Sequence, residues 1–125
     1  MKKSFFWILL LGIFSFLSSC GSIDNELIIG SWEGVRVLEE GEELGVNPKE
    51  ISFYFGKNES YRYESTLNYK EAGSYYIESS YLFTTDTVNQ ASTEKAVEIL
   101  LLSPDSLHIK MDDNGKERIL KLVKI

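Results

Sequence analysis

Few side chains in this 125-residue chain are of a type and in a place to do chemistry. Nucleophilic hydrolysis needs a base beside the nucleophile. The single histidine, His108, lies on the polar side of an alternating run next to Lys110, where a solvated surface imidazole is expected. The carboxylate pairs Glu39-Glu40, Glu42-Glu43 and Asp112-Asp113 are sequence neighbours. Neighbours in an extended chain point to opposite faces, so these pairs read as solubilising charge. They suit neither an acid and base facing across a cleft nor convergent metal ligands. The chain is therefore expected to be no enzyme and to hold no metal or cofactor. Its one cysteine, Cys20, has no partner for a disulfide within the chain. Aromatic surface is what remains. Phe53, Phe55, Tyr61, Tyr63, Tyr75, Ile77 and Phe83 could line a cavity for a small apolar molecule, with tyrosine hydroxyls orienting its polar end. The same periodicity equally describes a plain hydrophobic core.

The elements that would position these residues are strands. From Gly30 onward, apolar and aromatic residues recur with period two between clusters of breakers. The pattern predicts strands over 30–40, 50–56, 60–66, 73–79, 81–87, 95–102, 106–112 and 116–124. Ile51, Phe53 and Phe55 share one face; Val97, Ile99 and Leu101 share another, as do Leu107, Ile109 and Met111. Asp113-Asn114-Gly115 supplies the positive-φ residues of a tight hairpin. Gly56-Lys57-Asn58-Glu59 and Ser103-Pro104-Asp105 read as further turns, and the acidic segment from Glu39 to Lys49 as a longer loop. Strands joined this tightly pair as antiparallel neighbours. An open meander leaves two unpaired edges, which closure into an eight-stranded barrel abolishes. A two-sheet sandwich is the alternative.

Ahead of the strands, Lys2 and Lys3 precede an uncharged apolar run from Phe5 to Leu17, the layout of a secretory signal peptide. The run is shorter than the ~20 residues of a membrane span. It ends in Leu17-Ser18-Ser19-Cys20-Gly21, which resembles the lipobox of bacterial lipoproteins. An ordinary secretory cleavage would want Ala-x-Ala-like residues, which Ser18-Ser19-Cys20-Gly21 fits only loosely. The resemblance implies removal of residues 1–19 and acylation of Cys20, for example with palmitate, as the membrane anchor. Each buried methylene is worth ~0.8 kcal/mol, and two or more chains hold a protein stably where one does not. Gly21 rather than aspartate after the cysteine implies, by the same resemblance, delivery to the outer membrane. Residues 20–27 form the acylated end and tether, at most about 26 Å long when extended. Loss of Lys2 and Lys3 takes the net charge from −6 to −8, which argues against nucleic acid as a partner.

Residues 28–125 carry a second resemblance. Gly30 and Trp32, in Ile29-Gly30-Ser31-Trp32, open the first strand as the Gly-x-Trp signature opens lipocalins. Gly73-Ser74-Tyr75-Tyr76-Ile77 and Ser103-Pro104-Asp105-Ser106-Leu107 match elements of the small lipocalin-like domains of bacterial lipoproteins. The resemblance implies a barrel whose closed end is plugged by Trp32. It departs at Thr85-Asp86-Thr87, which lacks the tyrosine of the larger relatives' Thr-Asp-Tyr element. Among last-strand cations to cover the tryptophan, Arg118, Lys121 and Lys124 are the candidates. Two functions follow. One is an anchored binder of a small apolar or amphipathic ligand. The other is a protein-interaction or inhibitor module, meeting an envelope protein through the Glu39–Glu43 loop, Tyr54 and Tyr76.

Overall fold

A computed structural model describes residues 24–89 and 93–125. The expected signal segment, Cys20 and the start of the expected tether lie outside them. Strands run over β1 (Gly30–Glu39), β2 (Glu42–Glu43), β3 (Ser52–Phe55), β4 (Ser60–Glu64), β5 (Lys70–Glu78), β6 (Tyr81–Asp86), β7 (Glu94–Leu102), β8 (Ser106–Asp113) and β9 (Lys116–Lys124). All pairings are antiparallel: β1 pairs with β3, each strand from β3 to β9 pairs with the next, and β9 returns to pair with β1. The sheet is thus one closed eight-stranded barrel, not a two-sheet sandwich, with β2 as a small addition. Closure satisfies the row of backbone donors and acceptors that either edge would have exposed.

The predicted strands are all present, with particular differences. β5 starts at Lys70 and not at 73, so Glu71 joins the inward face that Gly73 and Tyr75 occupy. The acidic loop folds back as β2, pairing with Leu38 and Glu39 on the side of β1 that β3 leaves vacant. A short 3-10 turn, Asn25–Ile28, precedes β1 and buries Ile28 completely.

Two bulges reset the alternation. In β1 the register shifts between Gly34 and Arg36, leaving Val35 exposed and returning Val37 to the core. In β7 it shifts between Ile99 and Leu101, so Leu100 and Leu101 face solvent while Leu102 pairs with Leu107 and packs inward. Leu101, expected beside Val97 and Ile99 on the inner face, is therefore outside. One extra residue reverses the parity of everything after it. The Asn114-Gly115 hairpin has the positive φ values, 54° and 80°, that its tight turn requires.

Candidate functional site

The two ends of the barrel differ chemically. One end is solid. Trp32 is fully buried and donates its Nε1–H to the Ile28 carbonyl at 2.8 Å. Lys124, paired with Trp32 across the β1–β9 ladder, donates to the Leu27 carbonyl at 3.0 Å and holds its ammonium 5.0 Å from the indole centre. The last-strand cation that covers the tryptophan is thus Lys124. Phe55 packs edge-on to Tyr75, whose hydroxyl donates to the Gly56 carbonyl at 3.0 Å and so ties the β3–β4 turn to the core.

The opposite end is hollow. It holds a cavity of about 620 Å³, bounded by Tyr69 of the 65–69 connection and by Asp112 and Asp113 at the end of β8. Phe53, Tyr63, Val97, Ile109 and Met111 give the cavity an apolar wall, while Tyr61, Tyr69, Glu71, Lys95 and Arg118 give it polar groups. A further space of about 70 Å³ adjoins it, sharing Tyr63, Met111 and Arg118 and bounded by Leu44 and Val46 of the acidic connection.

Glu71 organises the polar side. Its Oε1 accepts from the Tyr61 hydroxyl at 2.9 Å, and its Oε2 accepts from the Tyr69 hydroxyl at 2.6 Å and from Lys95 Nζ at 2.9 Å. Burial acts to raise the carboxyl's pKa, but the donations from Tyr69, Lys95 and Tyr61 outweigh it and hold the group below its ordinary value. The phenols respond in the opposite sense. Burial, then Glu71, pushes Tyr61 well above the ordinary tyrosine range, and the bond to Glu71 pushes Tyr69 up to about 12.

The residues just after β6 hang on Asp86. It is 2% exposed and accepts from the Val88 amide at 3.0 Å and the Asn89 side chain at 2.6 Å, with Asn89 also donating to the Lys70 carbonyl. Burial would raise this carboxyl too, yet the bonds from Asn89, Val88 and Ala72 hold it low. Arg118 stands at the rim, fixed by Glu39 at 2.9 Å and Asp113 at 3.0 Å.

Of the residues expected to line a cavity, the structure brings Phe53, Tyr61 and Tyr63 together at the mouth. Phe55 and Tyr75 are core at the closed end, and Ile77 is half-buried against that core opposite Leu82. Phe83 is on the outer face, stacked on exposed Tyr76 with centroids 4.8 Å apart, because the inward positions of its strand fall to Leu82 and Asp86. Sequence reasoning missed Tyr69, Glu71, Lys95 and Met111. Extending the 73–79 strand by two residues would have put Glu71 in phase with Tyr75. His108 is half-buried outside the cavity, beside Lys121; burial, then that lysine, lowers its pKa.

No family model matches the sequence, and no curated protein matches it. Solved structures do match. A lipocalin-like protein from Bacteroides uniformis superposes with a TM-score of 0.60 at 15% identity, over 79% of this chain and 99% of that one. An uncharacterized protein from Bacteroides eggerthii gives 0.57 at 14% identity, over 78% and 99%. Identities this low speak for architecture alone, and that architecture is a closed, eight-stranded, antiparallel barrel of lipocalin-like fold.

Proposed function

We propose that the chain is a lipid-anchored envelope lipoprotein whose barrel captures a small apolar or amphipathic molecule through its open end and performs no chemistry on it. One observation supports this most: the mouth keeps a cavity of about 620 Å³, with an apolar wall and a few polar groups. Sites for small molecules have this size and this division of labour, ~300–1,000 Å³ with a few fixed polar contacts. Side chains could have filled a barrel of eight strands completely, and at the Trp32 end they do. In this reading residues 1–19 are removed, Cys20 is acylated, and the short segment to Asp24 keeps the barrel beside the outer membrane.

Capture is favoured over a protein-docking role because the acidic connection has internal partners. Glu39 pairs with Arg118 and Lys116, Glu40 accepts from the Glu117 amide, and Glu43 pairs with Arg36. Methyl-resolved NMR with octan-1-ol tests the proposal. Val97, Ile109 and Met111 signals should move saturably while Leu107 and Ile28 stay, and Val97→Trp, which fills the space, should weaken binding at least tenfold. Shifts scattered over the outer face, or none, would contradict it.

A further inference from the structure

Among the described residues that line the cavity, the buried charge is the Glu71 carboxylate. Glu71 is 8% exposed and stands directly across the ladder from Tyr63, which lies 4.6 Å from Phe53 and 6.2 Å from Tyr69, centroid to centroid. Two of its three donors, Tyr61 and Tyr69, are neutral hydroxyls. Among the described residues Lys95 alone pairs with it as a cation, and the Lys95 side chain is 51% exposed, near the start of β7. A carboxylate held in place by hydroxyls and set among aromatic rings is a seat for a cation. Its present occupant is a long, half-solvated side chain that can swing out to water.

Each class of head group meets this wall differently. A cationic head can replace the Lys95 ammonium, leave that lysine hydrated outside, and keep Glu71 paired. An anionic head drawn to Lys95 would strand Glu71 as a buried charge without a counter-charge, which is strongly unfavourable. Nor does Arg118 offer an anion a free seat, because Glu39 and Asp113 already engage it. The lining as a whole sets Glu71, Asp112 and Asp113 against Lys95 and Arg118, a negative balance.

Resting on the capture reading above, we propose that the molecule this mouth selects is a cationic amphiphile, with an alkylammonium or quaternary ammonium nitrogen seated on Glu71 among Tyr61, Tyr63 and Tyr69 and an apolar body against Val97, Ile109 and Met111. Lys95 then acts as an internal competitor for the site.

The test is calorimetric titration of the lipidated protein in nanodiscs, against empty nanodiscs, with octyltrimethylammonium, octyl sulfate and octan-1-ol. The ammonium should bind at least tenfold more tightly than the sulfate. Glu71→Gln should abolish that preference, and Lys95→Gln should tighten the ammonium severalfold. Lys95, half-exposed at the rim, keeps the test intact even if Glu71→Gln destabilises the barrel. Octanol binding without preference for the cation, or a Lys95→Gln variant that loses ammonium affinity, would overturn the cation assignment and leave capture standing. No saturable binding by any of the three would overturn capture itself.

Discussion

Glu71 couples the cavity to the protein's stability. Its folded-state pKa is depressed by the bonds from Tyr69, Lys95 and Tyr61, so it contributes stability that is present above the unfolded value, 4.5, and lost as pH falls through the folded one. Glu71→Gln should therefore cost about 2 kcal/mol at neutral pH, the scale of hydrogen bonds to a charged group. By urea denaturation the gap to wild type should close below pH 4.5; a gap independent of pH would contradict the assignment. The phenols give the mirror case. Tyr61 and Tyr69 have raised values, so their contribution is complete below pH 10 and fades as pH rises through the folded values. Ultraviolet titration should find these two among the last of the seven tyrosines to ionise, with Tyr69 near 12. At the closed end, Trp32→Ala should cost about 3–5 kcal/mol in the same denaturation assay, since a fully buried indole leaves both a cavity and an unpaired carbonyl. Trp32 was legible from its Gly-x-Trp setting. Glu71 was not, because a glutamate next to a lysine at a strand's edge has the look of solvated charge until the strand's true start is known.

At the scale of elements, alternation located the strands well, since each needs one apolar face and the barrel has only one interior. What alternation could not supply was phase after an insertion. The bulges at Val35 and Leu100 answer to barrel curvature, and nothing in the types of Leu100, Leu101 and Leu102 says which one is the extra residue. Glycine marks one close approach. A Cβ on Gly73 would stand 1.9 Å from the Thr85 carbonyl oxygen of the paired strand, so Gly73→Ala should lower the melting temperature by several degrees, corresponding to about 1–3 kcal/mol of forced displacement. A wild-type melt for that variant would contradict the tight β5–β6 approach. The 65–69 connection shows the converse. Leu67 is 97% exposed with φ of 60°, a left-handed conformation that costs a branched side chain about 1–2 kcal/mol. Leu67→Asn should stabilise the protein; destabilisation would mean that the leucine has a contact there.

For the molecule as a whole, closure was legible from connectivity, because short turns force antiparallel neighbours and eight such strands leave two edges that only each other can satisfy. Whether the interior would be full was not legible. That depends on summed side-chain volumes against barrel radius, and the same aromatics serve both outcomes: Phe55 and Tyr75 fill one end while Phe53, Tyr61 and Tyr63 line a cavity at the other. The proposed anchor acts at this scale too. Cys20→Ser should move the protein from the membrane to the soluble fraction, and retention in the membrane would contradict the anchor. The most direct test of capture is native mass spectrometry of the lipidated protein purified from its host. The barrel should carry, beyond its acyl mass, one small molecule that leaves on denaturation and is absent from Val97→Trp. A spectrum showing the acylated chain alone, identical in wild type and variant, would contradict capture.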